Sequence, residues 1–190
     1  MNDSTTPSRE PAPRVVVGVG GGVAAYKSAA LVSRLTQSGV DVRVVMTSAS
    51  EKFIGSATFA ALSGHPVATD LFASGTWPLG PHIELADKID LLCIAPATAD
   101  LIGKLANGIA DTLLTTLYLQ ATCQTLIAPA MSNQMWVKPS VQRNVRQLSA
   151  DGVHQIGPEE GWLSCRQRGP GRMSEPDQIA ERVLAMLRQE

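Results

Sequence analysis

Short apolar runs alternate with stretches of helical period along this chain. The runs are VVVGV at 15–19, VRVVM at 42–46, LLCIA at 91–95, TLIA at 125–128 and a weaker VHQI at 153–156. Continuous, β-branched runs of this length read as strands buried on both faces. Between the first two, Ala25, Ala29, Leu31, Val32 and Leu35 recur at helical spacing, and Gly39 closes the segment as a C-terminal helix glycine does. Further helices are expected over 53–64, over 100–120 with a break near Asn107 and Gly108, and over 139–152 with Pro139 near its start. A last helix over 177–189 is entered through Ser174 and Pro176. Strands alternating with helices imply an α/β fold: a Rossmann-like, doubly wound parallel sheet with helices on both faces, in three α/β/α layers. Two stretches break the pattern, FASGTWPLGPH at 72–82 and GPEEGWLSCRQRGPGRMSEP at 157–176. The second is read as a loop too rich in Gly, Pro and Arg to be core, and loops of that length serve as lids or are disordered.

Composition narrows the function classes. With 190 residues, 44% hydrophobic and 17% charged, the chain is one ordinary globular domain. A formal net charge of −1 and 4% aromatic residues give no pull towards nucleic acid or anionic membrane and no base-stacking platform. The three cysteines make no C-x-x-C pair, which fits reduced thiols in the cytoplasm. Residues 1–13 are polar and proline-rich, and read as a disordered tail without the apolar core of a signal peptide.

In an open parallel sheet, ligands bind beyond the carboxyl ends of the strands. Four stretches fall there. In GVGGGVAAYKS, Gly20, Gly22 and Ala25 fit G-x-G-x-x-A, a pattern that brings backbone and a helix N-terminus up to a phosphate. A tight strand-to-helix turn would use the same glycines. After the second strand stands MTSAS, with Thr47, Ser48 and Ser50 where a dinucleotide enzyme wants an acid, so a mononucleotide is the better match. In APATADLIGKL, Thr98 and Asp100 are placed to cap a helix. His82, after Pro81, begins a short helix, while His65 and His154 have no such setting. The fourth stretch is PAMSNQMW at 129–136. Its methionines and tryptophan could fill core, yet a turn ending a buried strand exposes the next polar residue at the ligand edge.

Taken in order, these stretches resemble the flavin-containing cysteine decarboxylases. The resemblance runs from Arg14 to about Glu175 and rests on the glycine loop, PHIELA, APATA followed by ANGIADTLLTTLY, PAMSNQMW, and the late GPGRM loop with its cysteine. The coenzyme A branch is the most similar, through SGHPV, PHIELA and GPGRM. The resemblance implies one flavoprotein domain over 14–190 with a mobile lid near 157–175, FMN as cofactor, and a homotrimer or a dodecamer of trimers with flavin sites between subunits. By matching position, Gly20, Gly21, Gly22, Val23, Thr47 and Ser48 would contact the FMN phosphate or ribityl chain, and Ala97 and Thr98 would line the flavin. His82 would be the catalytic histidine, Cys165 the lid cysteine, and Arg172 and Met173 members of the same lid.

The implied reaction is decarboxylation of 4′-phosphopantothenoylcysteine, a small thiol-carboxylate, to 4′-phosphopantetheine. Direct loss of carbon dioxide would leave an unstabilised carbanion. Oxidation of the thiol to a thioaldehyde provides an electron sink, and decarboxylation then gives an enethiolate. Three positions depart from the family pattern. Ser132 stands where PAMN has its carboxylate-holding asparagine, Asp100 where an amide is usual, and Arg166 where glycine is common. A serine offers one short donor in place of two amide donors, and Asn133, also a candidate catalytic residue, points elsewhere from its neighbour. An added carboxylate at Asp100 is unfavourable near an anionic substrate unless it faces away. A peptidyl-cysteine decarboxylase and a non-catalytic FMN-binding regulator are the alternatives. Cys165 speaks against the first, and Ser132 and Asp100 favour the second.

Overall fold

The computed structural model describes residues 12–72 and 76–189; apart from its last two residues, the tail expected over 1–13 lies outside them. Five parallel strands form the central sheet: β1 (Arg14–Val19), β2 (Asp41–Met46), β3 (Leu91–Ala97), β4 (Gln124–Pro129) and β5 (His154–Gln155), in the order β2-β1-β3-β4-β5. The expected fifth strand is thus present but only two residues long. β1 is buried on both sides, giving Val15, Val17 and Val19 to one core and Val16 to the other. Each such fully buried aliphatic side chain contributes about 1.5–3 kcal/mol.

The first core is roofed by α1 (Ala25–Gln37), α2 (Ser56–Ser63) and α8 (Pro176–Met186), through Leu31, Leu35, Phe59, Ile179 and Val183. The second packs under α3 (Pro81–Ala86), α4 (Ala99–Ala106), α5 (Leu113–Gln120) and α7 (Pro139–Ala150). The single helix expected over 53–64 starts only at Ser56, because Phe53 and Ile54 belong to a turn that follows a short 3-10 segment at Ser50–Lys52. Asn107 and Gly108 do separate α4 from α5, and Gly108 has φ +65°. A Thr112–Thr115 capping box starts α5. Pro139 and Pro176 each lie in the first turn of their helices, but the N-cap of α8 is Glu175 and not Ser174, which is buried.

The late stretch corrects its reading as a loop. It forms an antiparallel hairpin, β6 (Glu159–Trp162) and β7 (Arg168–Arg172), and it reaches the core: Leu163 in its connection and Met173 and Ser174 after β7 are buried. Composition misleads here because the glycines serve packing. A Cβ at Gly171, where φ is +127°, would lie 2.3 Å from the Met131 carbonyl oxygen. One at Gly169 would meet the Asn133 Cβ at 3.0 Å. The Met131 amide donates to the Gly171 carbonyl at 2.9 Å. The hairpin is therefore docked on PAMSNQMW, backbone against backbone.

Candidate functional site

The chain crosses from β1 to β2 on one side and then returns past β1 to β3 on the other, so the sheet's switch point lies between β1 and β3, at their carboxyl ends. A cavity of about 510 Å³ opens there, within the ordinary range for small-molecule sites. Its floor is the turn into α1 (Gly21, Gly22, Val23) and the turn into α4 (Thr98, Ala99, Asp100). One wall is Met131, Ser132 and Met135, and the hairpin supplies Trp162, Ser164, Arg172 and Met173. Three strand-to-helix junctions and the hairpin thus meet at one place.

The glycines divide by task. The Gly20 amide donates to the Pro96 carbonyl at 3.2 Å, and a Cβ there would lie 2.3 Å from that oxygen. A Cβ at Gly21 would meet the Ala49 Cβ at 2.3 Å. At Gly22 the nearest atom is Thr98 Cγ2 at 3.7 Å, so its missing side chain leaves room on the cavity side. The first turn of α1 carries no acidic residue, which leaves the helix end favourable to an anion. Gly20, a residue expected to touch phosphate, has its amide engaged by Pro96 and lies outside the cavity lining.

Other expected contacts are redistributed too. Ala97 is fully buried in the core beneath the cavity, and its carbonyl accepts from the Ala130 amide at 3.0 Å. The Thr47 hydroxyl donates to the Val19 carbonyl at 3.2 Å and accepts from the Ser50 amide at 3.2 Å, while Ser50 Oγ donates to the Thr47 carbonyl at 2.7 Å. These hydroxyls hold the turn after β2, and Ser48 is left exposed outside the cavity lining. Thr98 does cap α4, accepting from the Leu101 amide at 3.3 Å. Asp100 does not cap it. Asp100 sits in the first turn and pairs with Lys104 at 3.3 Å, which Asp111 also contacts at 3.0 Å. Asp100 lines the cavity, and Lys104 is what neutralises it.

Ser132 is the N-cap of the short α6 (Asn133–Trp136), accepting from the Met135 amide at 3.4 Å. It faces the cavity, whereas Asn133 packs against β7 and its side-chain oxygen accepts from the Gln134 amide. Cys165 is exposed at the hairpin tip beside Ser164, and Arg166 next to it adopts φ +61°. Cys93, in β3, is fully buried, which pushes its thiol up to about 12.

His82 is not part of this cavity. It borders a separate one of about 380 Å³ with Leu71, Phe72, Trp77, Leu79 and Thr116. Its Nδ1 is buried without a hydrogen-bond partner among the described residues, and Phe72 and Leu79 beside it are exposed.

The sequence reading missed Lys27. It lies on the inner face of α1 with Ser28 and Leu31, is buried, and reaches the cavity. Its Nζ donates to the Met173 carbonyl at 3.1 Å and to Glu175 Oε1 at 2.9 Å. A lysine in register with a helix's apolar face was the available signal, since buried lysines are kept only with partners. Tyr26 and Trp162, both exposed at the cavity rim, were missed as well.

Comparison with known proteins gives one consistent answer. A protein-family model described as Flavoprotein matches residues 3–188. The coenzyme A biosynthesis bifunctional protein CoaBC of Bacillus subtilis is 48% identical over 167 residues, covering 88% of this chain and 41% of that protein. The chain therefore spans about two fifths of the length of that curated relative. Among solved structures, the FMN-dependent cysteine decarboxylase SpaF superposes with a TM-score of 0.82 at 35% identity, covering 94% of this chain and 97% of that one. A PPC decarboxylase mutant complexed with pantothenoylaminoethenethiol gives 0.83 at 32% identity, covering 93% and 99%.

Proposed function

This chain belongs to the flavoprotein family, and we propose that it is an FMN-dependent carboxy-lyase converting 4′-phosphopantothenoylcysteine to 4′-phosphopantetheine in coenzyme A biosynthesis. The observation that carries the reading is the cavity at the switch point, where the glycine turn, Thr98, Ser132 and the docked hairpin converge. The residues present fit FMN: an acid-free helix N-terminus after Gly22 suits its phosphate, and Val23, Met131 and Trp162 offer apolar surface to a flat ring. When bound, FMN supplies the two-electron chemistry that a thiol oxidation requires.

The chain's own residues would bind and orient the substrate. Lys27 and Arg172 bring positive charge to a cavity whose substrate carries a carboxylate and a phosphate. Ser132 presents a hydroxyl able to donate to the carboxylate, and Cys165, in the hairpin that covers the cavity, would deliver a proton late in the reaction. Movement of the hairpin as a lid belongs to this proposal.

His82 would act beside the cofactor, which requires a second copy of the chain, because within one copy it borders a different cavity. The exposed Phe72 and Leu79 next to it supply apolar surface for such a contact. A homotrimer with sites between subunits meets that requirement. Among the described residues no helix is long and apolar enough to cross a membrane, and the free Cys93 and Cys165 thiols suit the reducing cytoplasm.

The test is mass spectrometry of the FMN-loaded protein incubated with 4′-phosphopantothenoylcysteine. Product lighter by carbon dioxide, and otherwise at the substrate's redox level, is expected. Unchanged substrate would overturn the assignment.

A further inference from the structure

The two cations of the cavity share one carboxylate. Lys27 Nζ donates to Glu175 Oε1 at 2.9 Å, and Arg172 Nη2 donates to the same oxygen. The pair is asymmetric in exposure: the Lys27 side chain is 9% exposed and that of Glu175 is 42% exposed. Lys27 and Arg172 line the cavity, whereas Glu175 stands behind them as the N-cap of α8. The Lys27 ammonium has three donors, of which Glu175 and the Met173 carbonyl occupy two.

We propose that Glu175 is an internal counter-anion that competes with the anionic group of the substrate for Lys27 and Arg172, and so sets how strongly the site favours charged ligands. The inference rests on the function proposed above. A lysine with little access to water needs a partner in the empty site, since a buried unpaired ammonium is costly. Glu175 supplies it, and being half in solvent it can be rehydrated when a ligand anion takes its place. Its own carboxyl is held below the ordinary range, chiefly by the Lys27 hydrogen bond, with Arg172 adding to this against partial burial. Near neutral pH the carboxylate is thus charged, as the substrate phosphate is. Two positive charges and one negative leave the cluster attractive to an anion but weaker than it would be without Glu175.

Glu175→Gln removes the charge and keeps the shape, and its amide oxygen can still accept the helix-capping bond of α8. Calorimetric binding to the FMN-loaded chain is the experiment, with inorganic phosphate, phosphopantetheine and the neutral pantetheine as probes. Removing a like charge at this partly screened site should tighten phosphate and phosphopantetheine about tenfold, leave pantetheine unchanged and steepen the salt dependence. Glu175→Asp, which retains the charge, should bind as the natural chain does. Equal binding of all three probes by Glu175→Gln and the natural chain would overturn the proposal. So would parallel weakening of all three with a lower melting temperature, which is what a cap alone predicts. Turnover of 4′-phosphopantothenoylcysteine by the natural chain is measured separately, so failure of the functional assignment is recognised as such and leaves the phosphate comparison decisive.

Discussion

Gly20 and Pro96 are joined by a hydrogen bond from amide to carbonyl at 3.2 Å, directly across the switch point between β1 and β3. The first glycine of the loop is therefore held in the sheet, and the ligand side of the turn begins with Gly21. The glycine loop and APATA, separate in sequence, are joined at this bond.

Two glycine substitutions should accordingly behave in opposite ways. Gly20→Ala drives a methyl to 2.3 Å from the Pro96 oxygen and 2.7 Å from Leu101 Cδ1, and should destabilise the fold by about 1–3 kcal/mol. Gly22→Ala meets nothing nearer than 3.7 Å and should change stability by less than about 0.5 kcal/mol while weakening FMN. Urea unfolding and flavin fluorescence titration read the two effects. Equal loss of stability in both variants would refute this division.

Ser132→Asn preserves an N-cap, since asparagine caps as well as serine, and adds amide donors at the cavity wall. Decarboxylation should rise or stay level. A fall of about a hundredfold, equivalent to ~2.7 kcal/mol, would mean that the hydroxyl has a role an amide cannot fill. His82→Asn, in contrast, should retain FMN yet slow thiol oxidation by at least about a hundredfold. Wild-type turnover in that variant would remove His82 from the chemistry.

The two thiols Cys93 and Cys165 should separate cleanly. With its thiol at about 12 and no exposure, Cys93 should resist iodoacetamide until the chain unfolds, whereas the exposed Cys165 should be alkylated in the folded protein. Peptide mass spectrometry distinguishes them. Cys165→Ser should still release carbon dioxide but accumulate the oxidised enethiol in place of the saturated product. Saturated product at the natural rate would show that Cys165 is a spare surface thiol.

Acid should expose the Asp41 network. Partial burial raises this carboxyl, but hydrogen bonds from Arg14 and Arg43, and their charges, overcome it and leave the group below its ordinary value. His65 Nε2 also lies 2.9 Å from Asp41 Oδ1. A lowered folded-state value means stabilisation that is complete above the unfolded value and is lost as pH falls through the folded one. Asp41→Asn should cost about 2 kcal/mol near neutrality, and the deficit should shrink below about pH 4. Urea midpoints of both proteins between pH 7 and pH 2 check this; a constant deficit would contradict it.

Much of the fold was legible in the residues because its signals are local. Five apolar runs, the helical spacing through Leu31 and Leu35, the Asn107–Gly108 break and Pro139 each act within a few positions, and all recur in the structure. Three of the four stretches expected at the ligand edge, the glycine loop, APATA and PAMSNQMW, do line the candidate cavity, since the carboxyl ends of parallel strands open there. Tertiary structure alone decided which atoms in those stretches are available. Nothing in the sequence shows that the Gly20 amide is engaged by Pro96 and the Thr47 hydroxyl by Val19. Lys27 looks like a surface lysine until Met173 and Glu175, nearly 150 positions away, enclose it. The late glycines look like disorder until Met131 and Asn133 press against them. Local sequence carries propensity and period, whereas a hydrogen bond or a close approach between distant segments exists only once the chain has packed.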